Sequence, residues 1–149
     1  FFIIYFYFIT TAMHTASLHN LLPHQDSALW LQHINSHTPF SIQGECLWSC
    51  LAVFGERPSP GLLFEAAAQL CAAHGALYGN DGRVQAAYIG KLSKLTVHHD
   101  PVERCDPITI DAQQLSYSLA GALYRFSLSS KQQLLVDGTL LVALLHAQT

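Results

Sequence analysis

One segment limits the folds open to this chain more than any other: Pro58-Ser-Pro-Gly-Leu-Leu-Phe-Glu-Ala-Ala-Ala-Gln-Leu-Cys-Ala-Ala-His-Gly75. It reads as one helix from Ser59 to His74. Ser59 can accept from the free N–H groups of the first turn, Pro60 fits the first helical position, and Gly75 can supply a left-handed stop. From Leu62 to Ala73 nearly every side chain is apolar, on all sides. A helix apolar all round either crosses a membrane or sits at the centre of a core. This one is too short to cross, since a bilayer needs roughly 20 apolar residues. It is therefore expected to be central and buried.

Only Glu65 and Gln69 break the apolar run, and residues four apart share one helix face. Two readings of Glu65 are open. A buried carboxylate has a raised pKa, which suits a general acid or base near neutral pH. A carboxylate reaching solvent at the helix start merely complements the dipole there.

The remainder of the chain reads as strands. Ala28–Ile34 and Pro39–Leu47 fit two strands with a turn over Asn35–Thr38, and Trp48–Gly55 leads into the helix, with room for a third. After the turn formers Gly79-Asn-Asp-Gly-Arg83 come four more: Gln85–Val97, Pro107–Ser118, Gly121–Leu128 and Gln133–Leu145. Asp137-Gly138 would make a tight turn or a bulge within the last of them. One apolar helix and a run of antiparallel strands imply an α+β fold, a sheet wrapped around that helix. The 149 residues suit one domain.

Composition excludes several functions. Seven Lys and Arg against ten Asp and Glu leave no basic stripe, so nucleic acid is a poor partner. The nine His are scattered without a metal-binding spacing, so no metal is expected. Charged residues are only 11% of the chain, which implies a surface partly covered by another subunit. Cys46, Cys50, Cys71 and Cys105 read as reduced thiols of a cytoplasmic protein. Glu56 and Arg57 read as a surface pair. Phe1–Ala12 is strongly aromatic, lacks a signal peptide's basic flank, and precedes the only Met, Met13. It reads as a non-native or disordered leader to a domain over residues 13–149, with a membrane anchor as the alternative.

Two motifs carry a resemblance. Leu21-Leu-Pro-His24 and Glu65-Ala-Ala-Ala-Gln69, the latter preceded by Pro60-Gly61, resemble in order and spacing those of hotdog-fold 3-hydroxyacyl-acyl-carrier-protein dehydratases. The likeness is greatest to the divergent branch of aryl-polyene and polyketide clusters. Tyr88–Leu95, Pro101-Val102 and Asp106 resemble that family's substrate-side strand and following turn. The resemblance implies a hotdog dimer, homomeric or with a related subunit. It implies removal of water from a 3-hydroxyacyl chain on the phosphopantetheine of an acyl carrier protein, with no other cofactor. By position Glu65 is the catalytic acid–base residue and Gln69 holds it, with Gly61 and Phe54 on the substrate side. Val53 stands where the better-known members have a catalytic His, and valine transfers no proton. His24, in the Leu-Leu-Pro-His motif, is the replacement candidate. Gln32 stands where an acidic residue is usual. The alternatives are an acyl thioesterase of the same fold, with Glu65 activating water, and a catalytically silent subunit paired with an active dehydratase.

Overall fold

The structure is a computed structural model, and it describes residues 7–8, 29–78 and 84–146. Its elements are β1 (Tyr7–Phe8), β2 (Leu31–Thr38), β3 (Ser41–Cys46), a 3-10 helix (Trp48–Phe54), a second 3-10 helix (Pro60–Leu63), α1 (Phe64–Tyr78), β4 (Val84–Val97), β5 (Ile108–Ser118), β6 (Gly121–Ser130) and β7 (Gln133–His146). The strands form one sheet in the order β1-β4-β7-β6-β5-β3-β2, every neighbour antiparallel. The two-residue β1 pairs with β4 at Ala87 and Ala86.

The sheet wraps α1, as expected for the hotdog fold. Every residue from Phe64 to His74 is buried. Three consecutive alanines, Ala66 to Ala68, keep the helix thin, so the sheet can close on it from several sides. Strand alternation supplies the matching surface: Ile108, Ile110 and Ala112 of β5, Tyr124, Phe126 and Leu128 of β6, and Val136, Leu140 and Val142 of β7 all face inward. Where β3 passes the helix there is no space for a side chain. A Cβ on Gly44 would lie 2.9 Å from the His33 carbonyl oxygen and 3.0 Å from Leu70 Cδ1.

Three expectations need correction. The turn between β2 and β3 is Pro39-Phe40, and Asn35–Thr38 belongs to β2. Proline cannot donate to a ladder, so the chain turns there. The turn formers Asn35-Ser36 fall at a register shift within the strand. Trp48–Phe54 is 3-10 helix, not strand. The Trp48 amide donates to Asp106 Oδ1 at 2.8 Å and its indole to the Cys105 carbonyl at 3.0 Å, which ties the segment to the loop before β5. Gly75 does not stop α1, which runs on to Tyr78. Tyr78 stacks against His74 and its hydroxyl meets His37 Nδ1 at 2.7 Å, so tertiary contacts carry the helix past the glycine. Among the described residues the glycine with positive φ is Gly55, φ 112°, which closes the first 3-10 helix.

Asp137-Gly138 lies within one continuous strand. The irregularity is in β4 opposite, where the register shifts between Ser93 and Thr96 and Lys94 has φ 55°. The start of the central helix is as the sequence implies, with Ser59 Oγ accepting from the Gly61 amide at 3.1 Å and Pro60 next to it. Its first turn is the tighter 3-10 form, and α1 proper begins at Phe64. Among the described residues no helix is long and apolar enough to cross a membrane. Phe1–Ala12, apart from Tyr7–Phe8, lies outside the described residues.

Candidate active site

Glu65 sits in the first turn of α1 and Gln69 one turn on, both buried. Gln69 Nε2 donates to Glu65 Oε1 at 3.1 Å. The other end of the same amide is held by the backbone, since Gln69 Oε1 accepts from the Trp30 N–H at 2.9 Å and the Leu31 N–H at 3.4 Å. These donors fix the orientation of the amide, because an oxygen must face two N–H groups. The NH2 group is thereby aimed at the carboxylate. The entry of β2 thus positions a side chain on the helix through Gln69.

Trp30 extends the site. Phe54, at the end of the first 3-10 helix, meets its ring edge-on with centroids 6.0 Å apart. Leu29, Trp30, Gln32, Leu47, Cys50 and Val53 line a groove of about 210 Å³ on this side. Val53 is 70% exposed at the groove's edge. Gly61 begins the approach to the helix from β4: a Cβ there would be 3.3 Å from Val97 Cγ2 and 3.8 Å from Leu95 Cδ2. Glu65, Gln69 and Phe54 are therefore linked in one chain of contacts through Trp30, with Gly61 one turn before Glu65. His24 lies outside the described residues.

The loop beside the groove is held by charge. Arg57 does not pair with Glu56 as expected: its Nη2 donates to Asp100 Oδ1 at 3.0 Å and to the Pro101 carbonyl at 2.6 Å. Arg104 donates to the same Asp100 oxygen at 2.9 Å and to the Pro58 carbonyl at 2.8 Å, and its guanidinium lies 4.5 Å from the centroid of the Trp48 ring. Sequence distance hid this. Asp100 lies well beyond the helix, and only the return of the chain after β4 brings it back.

Two things were missed by reading the chain. One is the Trp30 and Leu31 N–H pair, because a backbone donor leaves no mark in a sequence. The other is a second polar network toward the far end of α1. His74 Nε2 meets the Thr38 carbonyl at 2.9 Å, and its Nδ1 meets the Tyr124 hydroxyl at 2.8 Å. A carbonyl only accepts, so Nε2 carries the proton, and in the neutral ring Nδ1 accepts from Tyr124. Gln114 Nε2 donates to that hydroxyl at 3.4 Å. Burial holds the His74 imidazole below its ordinary value, against the opposing pull of the Thr38 carbonyl, and burial pushes the Tyr124 phenol up. This network is structural, because His74 lies nine positions from Glu65, half a rotation around the helix.

All four cysteines are free. The Cys46 thiol is pushed up by its hydrogen bond with Cys50 and by burial, and the Cys71 thiol by burial. Neither is a ready nucleophile. Among the described residues no group of three or more His, Cys, Asp or Glu could hold a metal ion.

No family model matches the chain, and no curated protein matches it in sequence. Solved structures do match in fold. The chain is similar to a structure of the dehydratase heterocomplex ApeI:P from Xenorhabdus doucetiae, with TM-score 0.75 and 13% identity over 89% of this chain and 93% of that one. It is similar to a thioesterase family protein from Silicibacter pomeroyi, with TM-score 0.68 and 10% identity over 87% and 96% of the two chains. It is also similar to a mutant thioesterase from Pseudomonas aeruginosa, with TM-score 0.58 and 16% identity over 91% and 100%. At such identities the likeness is one of architecture: the chain has the hotdog fold.

Proposed function

We propose that this protein acts on acyl thioesters, and specifically that it dehydrates a 3-hydroxyacyl group carried on the phosphopantetheine of an acyl carrier protein. One observation carries the reading: a carboxylate, Glu65, is buried at the start of the central helix and held by a Gln69 amide that is itself anchored on Trp30 and Leu31. A fixed, buried carboxylate is suited to proton transfer. In the dehydration a proton leaves the carbon next to the thioester carbonyl, the C–O bond at the 3-position breaks, and the departing hydroxyl takes a proton to leave as water. Glu65 serves one of these transfers. His24, or a residue from a second subunit, serves the other, since Val53 cannot. No cofactor beyond the carrier's own arm is required.

The second subunit belongs to the proposal. Beyond Ala86 and Ala87, β4 pairs on one side only among the described residues, with β7. Leu95 and Val97 near that edge are exposed apolar residues beside Gly61. Pairing there with another hotdog subunit, identical or related, would extend the sheet and cover them. The heterocomplex among the similar structures supports pairing with a second subunit as such. Four free cysteines support a cytoplasmic location.

A thioesterase is the second reading, favoured by the thioesterases of the same architecture, while Val53 favours a catalytically silent subunit. In it Glu65 activates water toward the thioester carbonyl. Mass spectrometry of a carrier-bound 3-hydroxyacyl thioester separates the readings. Loss of one water identifies a dehydratase, release of free thiol a thioesterase, and turnover only after adding a related hotdog subunit a silent partner. In either enzyme Glu65→Gln lowers turnover roughly 100-fold to 10,000-fold with the fold intact. Full activity in that variant rejects the assignment of Glu65.

A further inference from the structure

The helix covers one face of the sheet, and the opposite face has its own organisation. Because Ile110, Ala112, Tyr124, Phe126 and Leu140 point inward, their neighbours along each strand point outward. Register sets these outward residues in two adjacent rows. Asp111 of β5, Ser127 of β6 and Asp137 of β7 are directly opposite one another, and so are Gln113, Arg125 and Thr139 in the next row. Arg125 thus stands on the middle strand, one step from a serine with a carboxylate on either side. A concavity of about 500 Å³ opens on this face, and its lining includes Asp111, Ser127, Asp137, Arg125 and Lys94.

The charges balance, two carboxylates against Arg125 and Lys94. Asp137 meets His98 Nε2 at 3.0 Å and Asp111 accepts from Gln43 Nε2 at 3.2 Å. Among the described residues Arg125 has no ion-pair partner. An anionic partner would meet the carboxylates, and a cationic partner would meet Arg125 and Lys94. The complementary surface has both signs in reversed order. A second copy of the same face presents that order when turned about a two-fold axis lying between the rows. In that arrangement each Arg125 stands over Ser127 of the other copy, between its two carboxylates. Packed sheets lie about 10 Å apart, a gap that an arginine and an aspartate reaching toward each other can span.

The geometry points to a self-complementary interface: this sheet face packs against the same face of a second copy of the chain, and Arg125 of each copy enters the other's concavity between Asp111 and Asp137. It is independent of the role of Glu65, which lies on the other side of the sheet, and of pairing along β4.

Sedimentation velocity of the full chain tests it, with circular dichroism to confirm that each variant is folded. The wild-type protein is expected to show an association step that weakens as salt rises. Arg125→Glu sets like charges against each other and removes that step, halving the mass of the assembly. Asp111→Arg combined with Asp137→Arg does the same. Because both halves of the contact lie on every chain, the triple variant with all three substitutions regains the larger mass, and so does a mixture of the first two variants. A wild-type protein without this step, a folded Arg125→Glu protein that sediments like the wild type, or a folded triple variant that stays at the lower mass overturns the interface.

Discussion

Gln69 Nε2 lies 3.1 Å from Glu65 Oε1, and the same Gln69 side chain accepts from the backbone of β2 at its other end. A single amide therefore joins the sheet edge to the carboxylate on the helix. Anything that moves the start of β2 is transmitted to Glu65 through this side chain.

Gln69→Leu cuts that link. It leaves the Trp30 and Leu31 N–H groups without their acceptor, and a buried donor left unmade costs about 1–3 kcal/mol. Loss of carboxylate positioning is expected to lower turnover of the active assembly on the order of 100-fold. Steady-state kinetics beside a thermal melt checks both. Normal turnover in a destabilised variant would show that Gln69 supports the fold alone.

His74 predicts a stability that depends on pH. Its folded imidazole titrates below the ordinary value of 6.5 because it is buried. Above 6.5 the ring is neutral whether the chain is folded or not, and the group adds no pH dependence. As pH falls below that value, the unfolded chain takes up a proton that the folded chain resists, so stability declines until the folded value is passed. Melting temperature measured across this range should fall on the acid side. His74→Gln, which can still donate to Thr38 and accept from Tyr124, should flatten that part of the curve. An unchanged slope would assign the acid sensitivity to another group.

Tyr124→Phe removes one atom from the same network. It takes away the partner of His74 Nδ1 and of Gln114 Nε2. The expected loss is about 1–3 kcal/mol in denaturant unfolding, despite the conservative change in shape. A neutral result would show that water replaces the hydroxyl.

Gly44→Val tests how closely β3 approaches the helix. The added Cβ would meet the His33 carbonyl, which cannot yield without moving β2, as well as the tip of Leu70. Overpacking of this kind costs about 1–3 kcal/mol. Gly75→Ala has open space around the new methyl group and sits within α1. It should instead stabilise by about 0.5–1 kcal/mol. Paired urea titrations give opposite signs if both positions are described correctly.

The two arginines on Asp100 should differ. Arg57 is half exposed, and its pair is worth about 0–1 kcal/mol. Arg104 is mostly buried, stacks on Trp48 and also holds the Pro58 carbonyl. Arg104→Ala should therefore lower the melting temperature more than Arg57→Ala does, and equal shifts would remove any special role for the stacking contact.

The helix could be read from the chain alone, because twelve nearly uninterrupted apolar positions from Leu62 to Ala73 have no soluble arrangement except at the centre of a core. Its start was legible for the same local reason, since Ser59 and Pro60 act within one turn. So was the pairing of Glu65 with Gln69, because four residues of helix bring any two side chains together. Its end was not: Gly75 is a local stop signal, and His37 and Tyr78, distant in sequence, override it. The turn over Asn35–Thr38 failed similarly, because a register shift in the sheet absorbs residues that would turn an isolated chain. What anchors Gln69, what Arg57 pairs with and what surrounds His74 were decided only when the strands closed around the helix. Each of those contacts joins residues far apart in the chain, and each ends in part on a backbone group: the Trp30 and Leu31 N–H groups, the Pro101 carbonyl and the Thr38 carbonyl. Local chemistry is written in the order of side chains, whereas the contacts that set these groups in place exist only once the sheet has folded.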